Sequence, residues 1–409
     1  MKAVRISHPT RIIGGTFEVP ASKSISNRLL IMQALSEGAI RIRNLSDADD
    51  TRLMGEALKT NNGTVNIENA GTCMRMLTAY YSMFANDVIL HGNDRMHERP
   101  IEPLVTALQQ LGADIDYIDR EGYPPLRIKG NKLHGGTIQM DASVSSQFIS
   151  AIMLVAPYIG EEVNIEFISE PVSLAYLKLT EEWMLRCGAN VDVYKNRVRI
   201  APQKYKATEL TCEPDWSAAS YAYSIAALAK KAEIFVPHLK QSDTQGDKII
   251  ADYMERFGVT TTYINGGAVL SSTPQLLDAC GYSLSDYPDL TQTLAVIFTA
   301  RRITAELSDI SHLRHKETDR LRALHHELKQ CDFLNALGDD TIRVVGNEYD
   351  SHIMPKIKTY GDHRMAMAFA PLALVFTAID IDDAVVVEKS FPGYWKQLQN
   401  LGFEIEHLS

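Results

Sequence analysis

Cysteine is sparse and unpatterned. Cys73, Cys187, Cys212, Cys280 and Cys331 form no C-x-x-C pair and no spacing that suits a metal. An odd, scattered set argues against a disulfide framework and fits a reducing compartment. A basic excess is missing too: 41 Lys and Arg stand against 51 Asp and Glu, for a net charge of −10. Binding to nucleic acid through an overall positive field is therefore excluded. Any bound anion must be held by a local cluster of cations. No apolar run is long. The longest, Met365 to Ile379, is shorter than the ~20 residues of a membrane span. It contains Pro371 and lies between Arg364 and Asp380, so it reads as a buried helix. The opening Met-Lys-Ala-Val-Arg-Ile lacks the apolar core of a signal peptide. A cytoplasmic protein with no membrane partner is expected.

What is present is ordinary in bulk and patterned in detail. The chain has 409 residues, 45% hydrophobic and 22% charged, which suits a globular protein of about two to three domains. An amphipathic helix, a small residue and an alternating strand recur. Leu53 to Asn62 ends at Gly63, Leu104 to Leu111 at Gly112, Leu177 to Cys187 at Gly188, Ile250 to Phe257 at Gly258, and Tyr394 to Leu401 at Gly402. A weaker copy, Leu321 to Gln330, has Cys331-Asp332 in place of the Gly. Glycine there is the left-handed residue that ends a helix, and period-two alternation marks a half-buried strand. The copies lie mostly about 70 residues apart, so the chain reads as roughly six copies of one α/β unit. Thr211 to Trp216 breaks the pattern with Pro214 and precedes a new helix, Ser217 to Lys230. An interdomain crossing is expected there.

Cations gather where helices begin. In Pro20 to Arg28, Ser22 and Ser24 are candidate N-caps, and Lys23 sits where free N–H groups favour an anion. Arg28, one turn on, can reach the same anion with a bidentate fork. Asn69 to Arg75 repeats the arrangement with Gly71, and Ser143 to Gln147 gives a second polar helix start. Gly92 to Pro100 reads as a loop dense in charge. Arg314 to Arg320 has six ionisable residues in seven. Read as helix, that run puts Lys316, Glu317 and Arg320 on one face, with Glu317 tuned by its cationic neighbours. Tyr360 to Arg364 and Lys389 to Tyr394 open two more helices. The bland reading of each stretch is a capped, solvated helix end. The set together suits small, multiply anionic substrates.

In this order the motifs resemble the 5-enolpyruvylshikimate-3-phosphate synthase family. Lys-Ser-Ile-Ser-Asn-Arg at 23–28, Asn-Ala-Gly-Thr at 69–72, Arg-Met-His-Glu-Arg-Pro at 95–100, Ser-Ser-Gln at 145–147, Lys-Glu-Thr-Asp-Arg at 316–320 and Asp-His-Arg-Met-Ala-Met at 362–367 carry the likeness. It implies an inside-out α/β barrel of two domains built from six βαβαββ units, with helix N-termini facing an interdomain cleft. The expected domains are 1–19 with 217–409, on the phosphoenolpyruvate side, and an inserted 20–216, on the shikimate 3-phosphate side. The crossings are expected near 20 and 213–216. The implied reaction moves the enolpyruvyl group of phosphoenolpyruvate to the 5-hydroxyl of shikimate 3-phosphate by addition and elimination, releasing phosphate. Asp289 is the implied base, Glu317 the proton donor, and Lys23 a third catalytic group. Lys23, Gly71, Arg95, Gln147, Arg320, Arg364 and Lys389 are implied at phosphoenolpyruvate. Lys23, Ser24, Arg28, Ser145, Ser146, Gln147, Ser169, Asp289, His312 and Lys316 are implied at shikimate 3-phosphate. No metal or organic cofactor is implied, and a monomer is expected. The family commonly has Asn at His312, Tyr at Val172 and Pro at Met76. Gly71 is the residue type of glyphosate-sensitive members. The alternative is the related UDP-N-acetylglucosamine enolpyruvyl transferase, which shares the donor but commonly uses a cysteine as acid. A non-catalytic anion or nucleic-acid binder is a third reading, disfavoured by the acidic balance.

Overall fold

The helix–Gly–strand pattern marks the outer edge of a larger repeat. The structure, a computed structural model, describes residues 3–242, 244–273 and 279–408, so Met1 and Lys2 of the opening stretch lie outside it. One repeat runs through strand Asn62–Asn66, helix Gly71–Phe84, strand Asp87–His91, helix Glu102–Gln110 and the strands Asp114–Tyr117 and Leu126–Lys129. Its first two strands pair in parallel and the closing pair adds antiparallel. The same βαβαββ order recurs over 136–200 and 279–344. Two further copies borrow strands from the start of the chain. Ile12–Thr16 pairs parallel with Lys231–Pro237, and Ala3–Ser7 lies antiparallel between Ile379–Asp382 and Glu404–Leu408. The sixth copy keeps only a parallel pair, Ile40–Arg43 with Thr208–Thr211. Among the described residues this α/β fold has five four-stranded mixed sheets and one of two strands.

Two sequence expectations change here. The copy ending at Gly63 is not equivalent to the others. Its strand, Asn62–Asn66, is the parallel edge of the next sheet rather than an outer hairpin strand. The weak copy is the equivalent one. Asp332 takes φ +60, the conformation that Gly112, Gly188, Gly258 and Gly402 take elsewhere. Aspartate visits that region because its short polar side chain bonds locally. Met365 to Ile379 is not one helix either. Helix His363–Phe369 passes into a 3-10 turn, Ala370–Leu374, at Pro371, and strand Ile379–Asp382 follows. Proline there lacks the N–H that would continue the α ladder.

The chain forms two compact units. One is Met1–Pro20, Glu213–Arg314 and Thr318–Ser409, and the other is Ala21–Cys212 with His315–Glu317. In the second unit, helices Lys23–Leu35, Gly71–Phe84 and Ser146–Val155 pack on one another. In the first, helices Trp216–Leu228, Thr291–Ala300 and His363–Phe369 do the same. These are the first helices of their repeats, and they are buried nearly all round, as central helices must be. Ser146–Val155 buries every residue except Gln147, and Trp216–Leu228 every residue except Ser217. Each such helix begins just after a parallel strand, so the six helix starts are equivalent positions of the repeat. Among the described residues, no helix is long and apolar enough to cross a membrane.

Candidate active site

In the unit 21–212, Lys23 opens its helix at an end with no side-chain cap: Ser22 makes no capping bond and Ser24 is already helical. Lys23 Nζ lies 3.0 Å from Asp50 Oδ2 in a pair mostly shielded from water. The Asp50 carbonyl accepts the Cys73 thiol at 3.0 Å, which ties this end to helix Gly71–Phe84. That helix also starts without a side-chain cap. Arg99 covers its first residue, so that a Cβ on Gly71 would meet Arg99 Cζ at 2.8 Å. Arg99 Nη1 donates to the main-chain and side-chain oxygens of Asn69 at 3.2 and 3.1 Å. Ser145 caps helix Ser146–Val155, and Gln147 Nε2 donates to Thr72 Oγ1 at 3.3 Å. Three helix starts are thus linked. Ser169 Oγ accepts the N–H groups of Ala142 and Ser143 at 2.9 and 3.1 Å and donates to Asp141. It therefore shapes the loop leading to Ser145. Val172 is half-buried just beyond.

Arg28 and Arg75 are buried cations served by neutral groups. Arg28, 2% exposed, donates to Thr180 Oγ1 at 2.7 Å, the Ser24 carbonyl at 2.8 Å and Ser150 Oγ at 3.4 Å. Burial pulls its pKa down to about 10. A guanidinium bonded, among the described residues, to neutral oxygens alone favours an incoming anion strongly. Arg75 donates to the carbonyls of Gly71 and Pro100 at 3.2 and 2.9 Å. Burial and then Arg99 push its pKa well down, and Glu317 opposes them.

Gly92 to Pro100 is not all loop: Asn93 caps a single turn of helix, Asp94–His97. From it Arg95 donates to the carbonyls of Glu317 and Lys316 at 3.1 and 3.0 Å. Those two residues are not helical. They lie between the short helix Ser311–His315, which buries His312, and Asp319. Asp319 accepts the Arg322 N–H at 3.1 Å, so the helix starts at Arg320. The shared face of Lys316, Glu317 and Arg320 expected from the sequence does not form. An aspartate N-cap competes better for that position than the residues before it.

The other unit holds a bonded cluster of opposite charges. Asp289 Oδ1 accepts Arg320 Nη1 at 3.0 Å and its Oδ2 accepts Arg364 Nη2 at 2.7 Å. Arg320 Nε in turn donates to Asp362 Oδ2 at 2.6 Å. Asp362, fully buried, also caps helix His363–Phe369 through the Arg364 N–H at 2.9 Å. Arg364 Nη1 reaches Tyr221 Oη at 3.4 Å. Asp289, Arg320 and Arg364 are thereby brought together. Lys389 ends the short helix Ala384–Lys389 and is half-buried. Beside the cluster, Asp247 is buried and accepts the Ser217 hydroxyl. Burial first, then Asp289, raise its pKa to about 7.

Sequence reasoning missed Asp50, Arg99, Asp247 and Asp362. Only Asp362 carries a local signal, since an acidic residue just before His-Arg at a helix start is a cap. Its bond to Arg320 spans 42 residues and has no local signal.

Comparison with known proteins identifies the family to which the chain belongs. The family model described as EPSP synthase (3-phosphoshikimate 1-carboxyvinyltransferase) matches residues 7–65 and 55–398. The chain belongs to the EPSP synthase family. It carries out the 3-phosphoshikimate 1-carboxyvinyltransferase reaction of the shikimate pathway, which leads to the aromatic amino acids. Membership implies phosphoenolpyruvate and shikimate 3-phosphate as substrates. A 3-phosphoshikimate 1-carboxyvinyltransferase of Bacteroides fragilis is 41% identical over 403 residues, covering 98% of each chain. One from Haemophilus influenzae is 35% identical and covers 96% of this chain and 98% of its own. In fold, the chain matches an EPSP synthase structure from Acinetobacter baumannii with a TM-score of 0.79 at 21% identity, over 100% of both chains. It also matches the enolpyruvyl transferase NikO from Streptomyces tendae, at 0.76 and 14% identity, over 100% of this chain and 99% of the other.

Proposed function

We propose that in this EPSP synthase Asp289 is the base for the 5-hydroxyl of shikimate 3-phosphate and Glu317 the acid for the methylene carbon of phosphoenolpyruvate. The hydroxyl oxygen bonds to the central carbon of phosphoenolpyruvate as the methylene carbon takes a proton. The resulting tetrahedral intermediate then loses a proton from the new methyl group and expels phosphate. Cations must hold the phosphate and carboxylate charge throughout. Arg320, Arg364 and Lys389 serve phosphoenolpyruvate, joined by Lys23, Arg95, Gln147 and the backbone at Gly71. Shikimate 3-phosphate is held by Lys23, Ser24, Arg28, Ser145, Ser146, Gln147 and Ser169. Asp289, His312 and Lys316 complete that set, His312 donating the bond that an Asn commonly supplies.

The observation that carries this reading is the double hold on Asp289. Its two oxygens are paired with Arg320 and Arg364 at 3.0 and 2.7 Å. An anionic substrate on those arginines takes their charge and releases the carboxylate to act as a base. The buried Arg28, with no carboxylate partner among the described residues, supports a second anion site. We further read the fold as six units of one βαβαββ design, the sixth reduced to its parallel pair, and the protein as a cytoplasmic monomer.

The test is phosphate release from phosphoenolpyruvate with and without shikimate 3-phosphate. Release only with both is expected, and none with UDP-N-acetylglucosamine. Glu317→Gln is expected to lower kcat at least about a hundredfold, with both KM values little changed. A Glu317→Gln protein as active as the parent would sink the assignment of the acid.

A further inference from the structure

Helix Arg320–Gln330 grips the turn before Arg364 at two points. Arg320 and Glu327 are seven residues apart, two turns along one helix face. Arg320 takes Asp362, as described. Glu327 carries a carboxylate that is 1% exposed. Its Oε1 accepts the Tyr360 hydroxyl at 2.6 Å, and its Oε2 accepts the Lys358 main-chain N–H at 3.1 Å. His326 Nδ1 lies 2.8 Å from the same Oε1 and 3.3 Å from the Tyr360 oxygen. A third tie comes from Asp382, whose Oδ1 accepts the Thr359 N–H at 2.7 Å.

The turn held in this way is a strained one. Tyr360 and Gly361 both take positive φ, +55 and +69. A bulky side chain in that region persists only where its surroundings fix it. The Asp362 N–H then closes the turn on the Thr359 carbonyl at 2.9 Å. From there Asp362 orients Arg320 through its side chain and starts the helix that carries Arg364.

We propose that Tyr360 and Glu327 are positioning residues for phosphoenolpyruvate: their hydrogen bond fixes the turn that aims Asp362 and so sets the directions of Arg320 and Arg364. This rests on the reading of those two arginines as phosphoenolpyruvate ligands. Tyr360→Phe is a clean deletion. It leaves Glu327 its bonds from Lys358 and His326, and Tyr360 is 40% exposed, so the core is untouched. A glutamine at 327 has one carbonyl oxygen where the carboxylate accepts at two, so Glu327→Gln removes part of the same grip.

The experiment is steady-state kinetics on Tyr360→Phe, Glu327→Gln, the double variant, Arg320→Lys and Arg364→Lys, each with a melting curve. Tyr360→Phe is expected to raise the KM for phosphoenolpyruvate about tenfold. The KM for shikimate 3-phosphate and the melting temperature should stay near those of the parent. The double variant should fall short of the sum of the two single effects, since both weaken one grip on the turn. An unchanged phosphoenolpyruvate KM in Tyr360→Phe, with both arginine variants impaired, overturns the proposal. So do equal rises in both KM values, a fall in melting temperature without a phosphoenolpyruvate effect, or additive effects in the double variant. If the arginine variants leave the phosphoenolpyruvate KM unchanged, the ligand reading has failed and this proposal falls with it.

Discussion

Asp247→Asn is expected to stabilise the protein at high pH and much less at low pH. Asp247 is 4% exposed. One oxygen accepts the Ser217 hydroxyl, and the other, Oδ1, has no hydrogen-bond partner among the described residues. Burial, then the charge of Asp289 and more weakly that of Asp215, raise its pKa from 3.8 to about 7, against the pull of Ser217 and Arg364. A raised carboxyl pKa means that the folded chain holds the proton more tightly than the unfolded chain. The stabilising contribution is therefore complete below pH ~4 and is lost as pH rises through about 7. At about 1.4 kcal/mol per pH unit, the full loss is on the order of 4 kcal/mol near pH 8, and roughly 1–2 kcal/mol has already gone near pH 5. Asparagine stays neutral throughout and keeps an oxygen for Ser217. Its amide then occupies the place of the oxygen with no partner, at a cost of about 1–2 kcal/mol at every pH. The variant should thus gain on the order of 2–3 kcal/mol near pH 8 and close to nothing near pH 5. Denaturant unfolding at both pH values measures it, and Trp216 fluorescence reports on the same helix. An equal gain at both pH values would refute the reasoning, because only a titrating group produces the difference.

Two substitutions probe the other unit. Arg28→Lys removes the fork that reaches Thr180 and Ser150 and leaves a less adaptable buried cation. The KM for shikimate 3-phosphate should rise about tenfold or more, and melting should fall by a few degrees; steady-state kinetics and calorimetry check both. Gly71→Ala places a methyl against the Arg99 guanidinium, within 2.9 Å of Nη1. Arg99 must then leave Asn69, and the phosphoenolpyruvate KM should rise several-fold while that for shikimate 3-phosphate holds. Equal KM values in the variant and the parent would show that the helix start absorbs the methyl without consequence.

Local signals in the sequence are reliable where a short stretch settles the physics. Gly112, Gly188, Gly258 and Gly402 end helices because a left-handed residue is needed there. Asp332 does the same without the glycine, which is why its copy reads as degenerate. The Gly63 copy misleads for the opposite reason. Its local pattern matches, but strand pairing assigns its strand to a different edge, and pairing is not local. The site follows the same division. Lys23, Gly71 and Gln147 stand at helix starts, and the repeat explains why. The side-chain partnerships of Asp50, Asp247 and Asp362 are invisible to local reading, since the partners lie 27, 30 and 42 residues away in sequence; only the capping role of Asp362 has a local signal. The run from Arg314 to Arg320 reads as helix by charge spacing, yet one capping bond at Asp319 cuts it in two.

The four charges at Asp289, Arg320, Asp362 and Arg364 sum to zero. Two of these side chains are fully or almost fully out of water, with Asp362 at 0% and Arg320 at 2% exposure. A neutral quartet projects little field beyond a Debye length of about 8–10 Å. The protein around it carries a net charge of −10, which repels the anions it must take up. This quartet therefore does nothing to draw substrate in from a distance. Any salt dependence of the encounter therefore comes from the charges around the quartet and not from the quartet itself. The attraction begins only once the ligand is close enough to compete for the arginines.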